Sequence, residues 1–151
     1  MHLLELTSIN NINLFNYEKI FLDIIQLYNQ KKIPNKILFS GSKGIGKATM
    51  SYHLINYIFS INEDYKYNLN KLQINELNRS YKLVSKKSHP NFHLIDLHSD
   101  KRTIEISQIR QMINYANKSS FNNRERIILI DNVENLNLNS LNALLKIVEE
   151  P

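Results

Sequence analysis

The chain has 151 residues, no cysteine, three glycines and three prolines. It is long enough for one ordinary domain, its 42% of hydrophobic residues set it apart from disordered tails, and the missing thiols exclude disulfides, a thiolate zinc site and a cysteine nucleophile. A net charge of +5 favours polyanionic partners such as nucleic acid or nucleotide, with ordinary solvated lysine as the competing reading.

The start, Met1-His2-Leu3-Leu4-Glu5, lacks the basic onset and long apolar core of a signal peptide. No apolar stretch approaches the ~18 residues of a membrane span. A thiol-free chain without these segments fits the cytoplasm, which is the expected location.

Residues 1–15 carry little periodicity. From Tyr17 the apolar residues fall at Tyr17, Ile20, Phe21, Ile24, Ile25 and Tyr28, the spacing of a helix with one buried face. Pro34 closes it. The apolar run Lys36-Ile37-Leu38-Phe39-Ser40 reads as a buried strand. Helical spacing returns after Lys47, with Met50, Leu54, Ile55 and Ile58 on one side. Residues 61–91 are polar and rich in Tyr, Asn and Lys, and read as a surface insertion over about 61–89; Leu69, Leu72, Ile74 and Leu77 suggest a short helix within it. The stretch 92–97 reads as a second strand. A third helix comes next, with Ser107 as its cap and Ile109, Met112, Ile113 and Ala116 on its stripe. Ile127-Ile128-Leu129-Ile130 is a β-branched strand ending at Asp131, and Asn137 caps a last helix with the stripe Leu141, Leu144, Leu145 and Val148. Alternating strands and helices predict an α/β fold with a parallel sheet, whose ligands gather at the C-terminal strand edge.

Two motifs fall at that edge. Gly41-Ser42-Lys43-Gly44-Ile45-Gly46-Lys47 has the G-x-x-x-x-G-K spacing of a phosphate-binding loop. Glycines let successive amides face one centre, the helix after the loop adds its positive end, and Lys47 supplies a full charge for outer phosphates. The next position departs from the motif: Ala48 has no hydroxyl for Mg²⁺, and Thr49 is turned by about 100° along the helix. The candidate nucleotide-binding set is therefore Gly41, Ser42, Lys43, Gly44, Ile45, Gly46, Lys47, Ala48 and Thr49. The second motif is the strand ending in Asp131, the form of a Walker B strand whose aspartate holds Mg²⁺ through water. A general base directly after it would be glutamate; this chain has Asn132. No residue is expected to be catalytic. His89, His93 and His98 make no recognisable ligand set, and Tyr65, Tyr67 and Tyr81 read as surface or packing tyrosines.

The stretch from Ser140 through Asn142-Ala143-Leu144-Leu145-Lys146-Ile147-Val148-Glu149-Glu150-Pro151, after Asp131-Asn132-Val133-Glu134, resembles the clamp-loader family of bacterial DNA polymerase III, for which N-A-L-L-K-x-x-E-E-P is highly specific. Leu14-Phe15-Asn16-Tyr17-Glu18 resembles the family's N-terminal signature, with Asn16 where glycine is usual. Ala48 after Lys47 is similar to the delta-prime type, and the gamma/tau type is the near relative. His89-Pro90-Asn91 and 104–110 resemble the family's middle part; the resemblance is thinnest over 61–88, where many relatives carry a zinc module and this chain has no cysteine.

The resemblance implies an AAA+ P-loop NTPase-like three-layer sandwich, of which 1–151 would be the N-terminal part. The last strands, helical lid and collar are expected beyond it, leaving strand edges at 36–40 and 127–131 unpaired and the 1–151 chain a poor folder by itself. It further implies a clamp-loader subunit without its own hydrolysis, although part of a DNA polymerase holoenzyme. The expected cofactors are weakly bound ATP and Mg²⁺ at Asp131, without zinc. The expected partners are gamma/tau and delta subunits and, through the complex, the sliding clamp and primed DNA, with no membrane. Two other readings stay open at this point: an active gamma/tau-type ATPase and a small P-loop kinase.

Overall fold

The computed structural model describes residues 7–150. The fold is α/β, with five helices and a two-stranded parallel sheet among the described residues. The helices are α1 (Glu18–Asn29), α2 (Lys47–Ser60), α3 (Arg79–Ser85), α4 (Ile106–Ala116) and α5 (Leu138–Glu149); the strands are β1 (Phe92–Ile95) and β2 (Ile127–Ile130). The chain divides into two compact units, Met1–Lys86 and Lys87–Pro151. Among the described residues no helix is long and apolar enough to cross a membrane.

The first unit is built on α1 and α2. Phe21 and Ile25 of α1 meet Met50 and Leu54 of α2 in a core completed by Leu14, Tyr67, Leu72 and Ile74. The helical stripe of α1 is only partly used: Ile20 is exposed. In contrast, α2 is covered on more sides than its stripe predicts, with Tyr52, His53, Asn56 and Phe59 also buried.

The segment 61–86 departs most from its reading. It is a folded part of the core rather than a surface insertion. The backbone of 12–14 pairs with 72–74, through Leu14 N–H to Leu72 O at 3.1 Å and Ile74 N–H to Ile12 O at 2.9 Å. This extended pairing, flanked by an Asn68–Gln73 bridge, replaces the helix expected from Leu69, Leu72, Ile74 and Leu77. Tyr67, Leu72 and Ile74 point inward while Leu77 is exposed. The helix of this segment is α3, whose cap Asn78 accepts from Tyr81 N–H. Asn78 is fully buried and also donates to Glu63 at 3.1 Å, which accepts from Ser80 Oγ at 2.8 Å. Polar residues thus enter the interior because each finds a partner.

The expected strand at 36–40 is not formed: these residues are neither helix nor strand, and Leu38 is 77% exposed. A strand exists only as a member of a ladder, and the sheet of the described residues consists of β1 and β2 alone.

The second unit places β1 and β2 in parallel, with Phe92 opposite Ile127 and Ile95 opposite Ile130. The crossover between them carries α4, as parallel pairing requires. Buried Asn91 fixes the start of the ladder: its carboxamide donates to Phe121 O at 3.0 Å and accepts from Phe121 N–H at 2.8 Å, while its carbonyl accepts from Ile127 N–H. Ile95, Ile104, Ile109, Met112 and Leu144 form the core, lined by Ile128, Ile130, Ala143 and Ile147. Glu105, not Ser107, precedes the first turn of α4; the Gln108 side chain accepts its N–H at 3.1 Å, half of a capping box. Asn137 does cap α5, accepting from Ser140 N–H at 2.8 Å. The buried face of α5 is rotated from its predicted stripe, so Leu141, Leu145 and Val148 are exposed.

His53 gives the first unit an acid-sensitive centre. Nε2 lies 2.9 Å from Asn11 O and Nδ1 2.7 Å from the Tyr67 hydroxyl. A carbonyl only accepts, so Nε2 carries the proton and Nδ1 accepts from Tyr67. Burial lowers the His53 pKa to about 4, against a smaller opposing effect of the Asn11 carbonyl, and raises that of Tyr67. The folded value lies below the unfolded one, so the unfolded chain takes up the proton first. Stability from this group is complete above about pH 6.5 and declines as pH falls towards 4. Burial shifts the half-buried His93 in the same direction. The His53 ring, followed by NMR, is expected to stay neutral at pH 5.5 while the urea midpoint falls between pH 7.5 and 5.5; a His53 titration near 6.5 would contradict this burial account.

Candidate phosphate-binding site

The glycine loop stands at the N-terminus of α2. Gly44 has φ +80° and Gly46, the residue capping α2, has φ +97°, conformations that L side chains avoid. The loop is closed from within. Lys47 Nζ donates to Gly41 O at 2.7 Å and to Ser42 O at 2.9 Å, so the ammonium spans the loop's own mouth. Ile45 packs over Gly41. The first turn of α2 is regular, with Met50 N–H bonded to Gly46 O at 3.0 Å.

Tyr17 holds the loop from the residue before α1. Its hydroxyl donates to Ile45 O, and a methyl at Gly46 would meet its ring at 3.3 Å. Only Gly44 and Gly46 are required by backbone conformation; at Gly41 an added methyl would make ordinary contacts. Linear spacing carries no sign of the Tyr17 contact, because 28 residues separate its partners.

The predicted set Gly41, Ser42, Lys43, Gly44, Ile45, Gly46, Lys47, Ala48 and Thr49 therefore forms one continuous loop and helix start. Ser42, Lys43 and Ile45 are exposed, while Ala48 and Thr49 are partly buried on α2. The hydroxyl that bonds back into this turn is that of Ser51, which donates to Lys47 O at 3.0 Å.

Asp131 belongs to the second unit. Its N–H extends the ladder to Ile95 O at 2.9 Å, and its Oδ1 accepts from Asn132 N–H at 2.8 Å. Asn132 is left-handed, with φ 55° and ψ 44°. Its side chain donates to Asp96 Oδ1 at 2.7 Å. Asp96 lies outside the set expected from sequence; the signal available for it is that both parallel strands run into an aspartate.

The groups present fit a phosphate better than a metal. Two positive-φ glycines and the N-terminal end of α2 make an anion cradle, and Lys47 can exchange its two carbonyl partners for phosphate oxygens. Mg²⁺ wants several oxygen ligands in octahedral array. Ala48 offers none, and the two aspartates at the strand edge, Asp131 and Asp96, each already accept a hydrogen bond from Asn132. Among the described residues no group of three or more His, Cys, Asp or Glu gathers to hold a metal ion. His89 accepts from Asn91 N–H at 3.1 Å, and His93 stacks on Tyr115 with centroids 5.0 Å apart.

Comparison with known proteins gives a consistent match. The family model described as DNA polymerase III, delta subunit, matches residues 17–151. DNA polymerase III subunit delta' of Buchnera aphidicola subsp. Schizaphis graminum is 26% identical over 133 residues, covering 88% of this chain and 38% of that protein. The subunit delta' of Bacillus subtilis is 26% identical over 128 residues, covering 83% and 36%. The gamma/tau subunit of Mycoplasma genitalium is 24% identical over 127 residues, covering 84% and 20%. The chain thus spans less than two-fifths of the length of each of these relatives.

Loop geometry predicts unequal glycines. Gly46→Ala forces a side chain into positive φ and towards Tyr17, and is expected to cost roughly 1–2 kcal/mol. Gly41→Ala is expected to stay within about 0.5 kcal/mol. Urea unfolding of both variants reads the difference, and equal midpoints would contradict the assignment.

Proposed function

The chain belongs to the DNA polymerase III delta subunit family, and from that premise we propose that it serves as a delta-prime-type clamp-loader subunit that binds nucleotide without hydrolysing it. One observation carries the reading. The loop keeps its positive-φ glycines and its lysine, while Ala48 and Asn132 stand where a metal-binding hydroxyl and a general base would be needed. Binding and turnover call on different groups: the cradle and Lys47 suffice for affinity, whereas hydrolysis needs a polarised phosphate and an activated water. A positioned base is worth about 10²–10⁴ in rate, and a carboxamide is not a base at neutral pH.

In this reading the chain acts within a complex of gamma/tau and delta subunits that helps to load a sliding clamp on primed DNA in the cytoplasm. Its part is that of a fixed member of the assembly, with the driving hydrolysis supplied by other subunits. The gamma/tau-type ATPase is opposed by Ala48 and Asn132, and a P-loop kinase leaves 142–151 unexplained.

Calorimetric titration with ATP, paired with a phosphate-release assay on the same protein, tests the proposal. Saturable binding with turnover far below ~1 s⁻¹ is expected. Turnover near ~1 s⁻¹, inside the ordinary enzyme range, would overturn it.

A further inference from the structure

From the contact between the ends of β1 and β2, we infer that Asp96 is a positioning residue that commits position 132 to a hydrogen-bond donor. The parallel register sets Ile95 beside Ile130, so each strand delivers its terminal aspartate to the same edge. Adjacent carboxylates repel. The chain resolves this by placing a carboxamide directly after Asp131: Asn132 Nδ2 donates to Asp96 Oδ1 at 2.7 Å, and Asn132 N–H donates to Asp131 Oδ1 at 2.8 Å. One residue therefore offers a donor to each aspartate. A hydrogen bond to an ionised acceptor is among the stronger polar contacts in a protein.

Both ends of this bond are themselves fixed. Asp96 Oδ1 also accepts from Leu97 N–H at 2.7 Å, and the Asp96 carbonyl accepts from Gln108 of α4 at 2.8 Å. Asn132 holds the left-handed conformation, which Asn and Asp tolerate and longer side chains resist. The next turn is tied to a different part of the unit, through Ile104 N–H to Asn135 O at 2.8 Å and Ser140 Oγ to Ile104 O at 2.9 Å. Asp96 thus anchors the front of the 132–137 segment, which leads into α5.

The consequence deepens the non-hydrolysing reading and rests on it in that respect alone. A glutamate at 132, the residue a hydrolase would need there, is opposed by the facing Asp96 through its charge and by the left-handed backbone through its longer side chain. A lone reversion at 132 sets two carboxylates against each other and breaks the edge instead of arming it.

The test is a swap measured by thermal unfolding of the whole chain without nucleotide, so its outcome is independent of ATP binding or turnover. Asn132→Asp keeps the shape and tolerates the backbone but turns the donor into a second carboxylate; it is expected to lower Tm by roughly 3–10 °C. Adding Asp96→Asn removes the facing charge and returns a donor to the pair, so the double variant is expected to recover at least half of that loss. Asn132→Gly, which keeps the conformation and removes only the donor, should lose less than Asn132→Asp. Strictly additive losses in the double variant, or an Asn132→Asp protein as stable as the parent, would overturn the inference.

Discussion

Every buried or strand-forming backbone amide and carbonyl must find a partner, and this requirement decides which apolar runs of the chain become a sheet. Residues 92–95 and 127–130 satisfy each other in a parallel ladder. That pairing shapes the rest of the second unit. It requires a crossover, supplied through α4; it needs a fixed start, supplied by Asn91; and it ends with two aspartates side by side, joined by Asn132. The run at 36–40 has the same apolar character but no place in that ladder, and Leu38 stays exposed.

The parts legible in the sequence are those governed by local rules. Helical spacing locates α1, α2, α4 and α5, because one buried face imposes its period on neighbouring residues. The cap at Asn137 and the glycines at 44 and 46 are legible for the same reason, as they act on backbone within a few residues. Strands β1 and β2 are legible by apolar content; the run at 36–40 has equal content, and content alone carries no information about neighbours.

The segment 61–86 is illegible for a different reason. Its polar residues suggest surface, yet Asn78, Glu63 and Ser80 form a linked set around a buried amide, and Tyr67 enters the core because His53 accepts a hydrogen bond from its hydroxyl. Such matches join residues far apart in the chain, as between Asn13 and Gln73, and have no period. The candidate site divides along the same line. Its loop is readable as a motif, while Tyr17 over Gly46 and Asp96 beside Asn132 depend on tertiary neighbours that no linear spacing encodes.

In the proposed reading the glycine loop serves as a nucleotide cradle without metal chemistry. Lys47 sits in the loop mouth on the Gly41 and Ser42 carbonyls, and Ala48 puts a methyl beside it where the motif has a hydroxyl. Affinity for the phosphates should therefore come from amides, helix end and ammonium alone. Titration of ATP with Mg²⁺ in excess and again with a chelator tests this most directly. The account predicts that the two dissociation constants agree within about threefold; a gain of about tenfold or more on adding Mg²⁺, some 1.4 kcal/mol, would contradict it.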